Sequence, residues 1–250
     1  MKPNHFNELI EDIDKDIVDS FQIKDELSNE IFDFNGVDYK LKNDIRKKLL
    51  KVSDKFIEFI GVEFFIYDIV LTGSLANYNW SEYSDIDLHI LIDFKETEYD
   101  LMILKEFFDA KKTIWNKSHS IKIKNYDVEL YVQDTNEEHI STGVYSILNN
   151  DWVIKPKKTN QKIDKRKILE KGETFAREID DLTDSSKNNT LNRVNRLLSK
   201  IKKFRQTGIK KGGEYSYENL TFKLLRRSGY IEKLFKLKTD LINKKLSVAQ

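Results

Sequence analysis

Two aspartates one residue apart, Asp85 and Asp87, follow a Gly73-Ser74 pair after ten intervening residues. Side chains on a strand alternate faces. In Asp85-Ile86-Asp87-Leu88-His89-Ile90 both carboxylates therefore project together, while Ile86, Leu88 and Ile90 face the other way, toward a core. Two carboxylates a few ångströms apart repel unless a cation sits between them. Hard, all-oxygen ligands suit Mg²⁺ or Mn²⁺ rather than zinc. Gly73-Ser74 closes an apolar run where a short helix is expected to begin. Glycine permits close backbone approach, N–H groups at a helix start favour phosphate, and the Ser74 hydroxyl adds one donor. A phosphate cradle facing an acid pair is equipment for phosphoryl or nucleotidyl transfer. A two-ion site asks for a third carboxylate, and Asp127-Val128-Glu129-Leu130-Tyr131-Val132 offers one with the same alternation. Asp127 and Glu129 share a face. Glu129, flanked by core-type residues, is the choice; Asp127, nearer a turn, is the alternative. Singly these features are commonplace, since Asp-x-Asp is usually two solvated acids and Gly-Ser usually a turn. Their ordered conjunction is what points to chemistry.

The elements that must position these groups are legible from periodicity. Phe65–Leu71 reads as a buried strand ending at Thr72-Gly73-Ser74, and residues 86–92 as a second. A helix over 97–117 carries Leu101, Leu104, Phe107, Phe108 and Ile114. Ser120–Lys124 and Asp127–Val132 form a hairpin about Asn125-Tyr126, and Val144–Leu148 pairs with Trp152–Ile154 about Asn149-Asn150-Asp151. Ahead of this core, Phe6, Leu9, Ile10, Ile13 and Ile17 mark one helix. Ile45, Leu49, Val52, Phe56 and Ile57 mark another over 41–60, which Gly61 ends. A turn at Asn35-Gly36 separates the two. Beyond Pro156 come stripes at Ile168–Leu182 and Leu191–Phe204, a glycine-rich break at Gly208–Gly213, a helix opened by Ser216, and a fourth near Tyr230–Ile242. The expected fold class is α+β: a small mixed β-sheet core (61–156) between an N-terminal helical segment (1–60) and a basic C-terminal helical domain (157–250).

The chain has 250 residues, 39% hydrophobic and 34% charged, enough apolar and aromatic content to exclude wholesale disorder. No apolar run is long enough to span a bilayer, and the opening MKPNHFNELIEDIDKD is acidic and amphipathic rather than basic then apolar, so a cytoplasmic protein is expected. With no cysteine, thiol and thiolate-zinc chemistry are excluded. The net charge of +1 hides an asymmetry: residues 1–150 hold 17 Lys+Arg against 30 Asp+Glu, residues 151–250 hold 26 against 12. The basic half suits a polyanion. Lys200, Lys202, Lys203 and Arg205 cluster at a helix end, where cations also favour the macrodipole. Lys203 and Lys223 are secondary candidates for phosphate contacts.

The segment from Gly73-Ser74 to Asp85-Ile86-Asp87-Leu88, with the later strand around Glu129, resembles the DNA polymerase beta-like nucleotidyltransferase superfamily. The whole chain is similar to predicted nucleotidyltransferases encoded in bacterial and bacteriophage genomes, through Gly143–Leu148 and Gly212–Lys223 as well. The resemblance implies that Asp85 and Asp87 bind two Mg²⁺ or Mn²⁺ ions. It implies that Glu129 binds the catalytic ion and helps deprotonate the acceptor hydroxyl, and that Gly73 and Ser74 hold the triphosphate, ATP or another, as pyrophosphate leaves. The acceptor stays open among RNA ends, a protein hydroxyl, a small molecule and a second nucleotide. The rival reading is a catalytically inactive relative that binds nucleotide or nucleic acid, antitoxin-like or RNA/DNA-binding. Tyr78, Trp80 and Tyr83 either border a base or pack their loop. Ser84 is expected to cap or brace that loop, and His89, on the Asp87 face, either lines the cleft or, as favoured, makes a structural hydrogen bond.

Overall fold

The computed structural model of the protein describes residues 15–137, 141–184 and 189–247. In chain order the elements are α1 (Lys15–Ser20), β1 (Phe32–Phe34), β2 (Tyr39–Leu41), α2 (Asn43–Ile60), β3 (Asp68–Thr72), β4 (Ile86–Ile92), α3 (Leu101–Ser118), β5 (Lys122–Ile123) and β6 (Tyr126–Asp134). There follow β7 (Val144–Ser146), β8 (Asp151–Ile154), α4 (Lys165–Thr183), α5 (Thr190–Gly212), α6 (Tyr217–Arg227) and α7 (Tyr230–Leu246). The class is α+β. The chain divides into two compact units, one of Ile23–Thr159 and one joining Met1–Gln22 to Asn160–Gln250.

The Ile23–Thr159 unit is built on a six-stranded mixed sheet in the order β5-β6-β4-β3-β7-β8. β4 and β6 run parallel and every other neighbouring pair antiparallel. The parallel pair requires a crossover, and α3 supplies it. Its buried face of Leu104, Phe108 and Trp115 joins a core with Ile86, Leu88 and Ile90 of β4 and Val128 and Leu130 of β6. α2 adds Ile45, Leu49 and Phe56 to that core, and Gly61 in the left-handed conformation ends it, as its sequence foretold. Arg46 of α2 donates to the carbonyls of Ile147 and Leu148, fastening the helix to the β7–β8 hairpin.

Several boundaries move, each for a local reason. The 97–117 helix begins at Leu101 because Asp100 caps it, accepting from the backbone N–H groups of Met102 and Ile103. The first core strand begins at Asp68, which pairs with Leu91 near the end of β4, and not at Phe65, which is 70% exposed. The Asn35-Gly36 turn joins β1 to β2, a hairpin that helical periodicity did not anticipate; Asn35 Oδ1 accepts from the N–H groups of Val37 and Asp38. The β5–β6 hairpin turns at Lys124-Asn125, both with positive φ, one residue before the expected place. The Phe6–Ile17 stripe lies largely outside the described residues; of it, Ile17 is buried in α1.

The second unit packs α1, α4, α5, α6 and α7 about Ile168, Phe175, Ile179, Val194, Leu197, Ile201, Leu220, Leu224 and Leu234. The break expected over Gly208–Gly213 narrows to its end: α5 runs unbroken through Gly208 to Gly212, and the helix stops at Gly213, at φ 67°. A Cβ at Gly208 would lie 2.4 Å from Glu218 Cβ, so this glycine lets α6 approach α5 closely instead of ending it. Ser216 caps α6 by accepting from the Asn219 N–H.

Candidate active site

The parallel register of β4 and β6 sets Asp87 opposite Glu129. Asp85 stands two residues before Asp87, on the same face. All three are half-buried, and each offers a carboxylate oxygen within 4.8 Å of the others. The alternation expected from sequence holds along β4, where Ile86, Leu88, Ile90 and Ile92 are buried and Asp87, His89 and Leu91 are partly exposed. Asp127 shares the Glu129 face but is exposed, with Lys122 3.5 Å away. Three hard oxygen donors this close fit a divalent ion such as Mg²⁺ or Mn²⁺.

Beside the acids lies the Gly73-Ser74 corner. β3 pairs Thr72 with Asp87, so the next residue, Gly73, abuts the Asp87 carboxylate. A Cβ on Gly73 would fall 1.8 Å from Asp87 Oδ2. Its backbone sits at φ 74°, ψ −162°, a conformation essentially reserved for glycine. Ser74 opens a 3₁₀ turn, Ser74–Ala76, and is buried. Its hydroxyl donates to Ser84 Oγ at 2.9 Å, and Ser84 Oγ also accepts from the Ser81 N–H. Ser84 therefore braces the loop between the two motif halves, as expected. Asn77, 1% exposed, locks the corner from behind. Its Nδ2 donates to the Gly73 carbonyl at 2.7 Å and to Ser141 Oγ at 3.0 Å, while its Oδ1 accepts from Thr142 Oγ1.

With the glycine corner and the three acids in place, the Nucleotidyltransferase domain family matches this chain over residues 45–246. The chain belongs to that family. It is a nucleotidyltransferase. Among curated proteins, none matches it. Of solved structures, a STING-associated CdnE c-di-GMP synthase from Capnocytophaga granulosa is similar at 13% identity, over 82% of this chain and 84% of that one, with a TM-score of 0.24. A likeness so slight carries no structural or functional argument.

Reading the sequence missed the partner that fixes Glu129 in this nucleotidyltransferase. Tyr131 Oη donates to Glu129 Oε2 at 2.5 Å. Burial, then the adjacent Glu129 charge, raises the Tyr131 phenol well above its ordinary range, so it stays protonated and donating. Only the i, i+2 spacing on β6 could have pointed to it. His89 packs at a tilt against Tyr131, ring centroids 4.9 Å apart, and its Nδ1 lies 2.6 Å from Gln133 Oε1. That is the structural hydrogen bond expected of it. Asn77 carried no signal separating it from an ordinary loop asparagine.

The loop aromatics mainly pack. Tyr78 and Trp80 lie against the core, Trp80 Nε1 donating to the Glu26 carbonyl. Tyr83 is half-buried, its N–H donating to Ser81 Oγ. Lys203 and Lys223 belong to the helical unit of the nucleotidyltransferase, on α5 and α6. Among the described residues no helix is long and apolar enough to cross a membrane.

Proposed function

We propose that this chain transfers a nucleoside monophosphate from a nucleoside triphosphate to an acceptor hydroxyl, releasing pyrophosphate, in a reaction that requires Mg²⁺ or Mn²⁺. The convergence of Asp85, Asp87 and Glu129 beside Gly73 is the observation that supports it. The three carboxylates would hold two ions. Bound there, divalent cations would offset the triphosphate charge and stabilise the attacking and leaving oxygens of an in-line displacement. The backbone N–H groups at Gly73 and Ser74 would hold the β- and γ-phosphates, the Ser74 hydroxyl being already engaged with Ser84. Glu129, oriented by Tyr131, would take the proton of the acceptor hydroxyl as its oxygen bonds to the α-phosphorus. The bond from that phosphorus to the bridging oxygen then breaks, and pyrophosphate departs.

The test is pyrophosphate release and label transfer with each α-labelled triphosphate, Mg²⁺ or Mn²⁺, and cell extract as the source of acceptor. Release and labelling that stop on chelation, and in an Asp85→Asn/Asp87→Asn variant, support the assignment. Labelling that continues in the double variant refutes it.

A further inference from the structure

We propose that the helical unit carries a binding groove for single-stranded nucleic acid, on α5 and the start of α6. This does not rest on the catalytic reading. α5 holds eight Lys and Arg and no Asp or Glu in its 23 residues. Macrodipole effects explain cations in the last turn only, whereas Arg193, Arg196 and Lys200 lie well before it. A groove of about 760 Å³ opens along this helix, lined by Arg196, Lys200, Lys203, Phe204 and Tyr217, with Glu218 its one acid. Arg196 and Lys203 are exposed and form no ion pair among the described residues; Lys200 is shared with Glu178 at 2.7 Å.

The two rings are held in place by their neighbours. Phe204 packs edge-on between Phe175 and Tyr217, with centroids 5.4 and 5.6 Å away. From α4, Lys167 Nζ lies 3.9 Å from the Tyr217 ring centre and Lys171 5.7 Å from that of Phe204. Three cations thus line the groove with two partly exposed aromatic rings, and two more from α4 lie against those rings. Cations that track a backbone, beside rings on which bases stack, are the means by which proteins hold unpaired strands. A duplex presents no base faces to such rings, and an acidic peptide would use the charge alone.

The experiment measures binding of a fluorescein-labelled oligouridine strand to the full chain by anisotropy, in EDTA, across a salt series. The expected result is an affinity that falls with salt, with a log–log slope of about −2 to −3, as three to four phosphate contacts require. Arg196→Glu/Lys203→Glu should weaken binding tenfold or more. Tyr217→Ala should do so about tenfold while Tyr217→Phe binds normally. Asp85→Asn/Asp87→Asn should bind as the unaltered chain does, which separates failure here from failure of the catalytic reading. An oligothymidine arm distinguishes RNA from DNA as the strand bound. Equal affinity for polyglutamate or for duplex, or an equal loss in a Lys244→Glu/Lys245→Glu control on α7, overturns the groove in favour of diffuse charge attraction. No binding at low salt overturns it outright.

Discussion

Replacing Gly73 by alanine asks two separable things of the structure. The backbone at φ 74°, ψ −162° is one that an L-residue adopts at a cost of about 1–3 kcal/mol. The new methyl would also meet Asp87: 1.8 Å from Oδ2, 2.8 Å from Cγ and 3.2 Å from Cβ. Contact that close cannot be tolerated, so the carboxylate must swing away from Asp85 and Glu129. The strain should lower the melting temperature by about 2–12 °C, at roughly 2–4 °C per kcal/mol for a chain of this size. The displaced oxygen should weaken Mn²⁺ binding and cut turnover about a hundredfold, the usual cost of an ångström's misplacement. Gly36→Ala is the control: its φ is also positive, at 92°, but nothing lies within 4 Å of the added methyl. It should melt early yet bind Mn²⁺ normally. Circular dichroism melts and Mn²⁺ calorimetry on both variants decide the matter. Gly73→Ala with undiminished Mn²⁺ affinity, or equal loss in both variants, would refute the reasoning.

Asn77→Ala should remove about 1–3 kcal/mol by taking away the donor to the Gly73 carbonyl and the acceptor for the Thr142 hydroxyl, read as a lower urea midpoint. Tyr131→Phe keeps the packing but frees Glu129, so kcat should fall about tenfold while KM for the triphosphate and the melting temperature hardly change. Tyr67 should ionise at about 12 in an ultraviolet titration, because its hydrogen bond to Glu96 favours the neutral phenol. With the folded value above the unfolded one, that bond's contribution is whole below pH 10 and lost as pH climbs through 12; Glu96→Gln should return the titration toward normal.

What sequence could and could not foresee divides along physical lines. The acid triad was legible because a strand's period of two obliges Asp85 and Asp87 to share a face, and because Glu129 repeats the pattern among core residues. α2 was legible from its stripe and its glycine stop. The β1–β2 hairpin was not, since three-residue strands are too short to show alternation. Gly208 misled because a glycine that admits a neighbouring helix has the same letter as one that ends its own. Asn77 acts partly through Ser141 and Thr142, far away in sequence, which local pattern does not encode; Tyr131 stands only two residues from Glu129, but that spacing alone does not tell a core tyrosine from one bonded to the acid. Even for Gly73 the reason differed in part: its close neighbour in the fold is Asp87, the site's own acid.

The pairing of Asp87 with Glu129 across a parallel ladder makes the site sensitive to counting and indifferent to distance. The chain between them, from residue 93 to 125, only has to leave one strand and return beside it in the same direction. Insertions or deletions in that excursion, at the α3 ends for instance, leave the acids aligned. Removing a single residue between Tyr126 and Glu129 shifts the frame by one and points the third carboxylate into the hydrophobic side of the sheet. A deletion scan across the two intervals should therefore show a wide tolerant stretch bounded by a sharp edge at the start of β6.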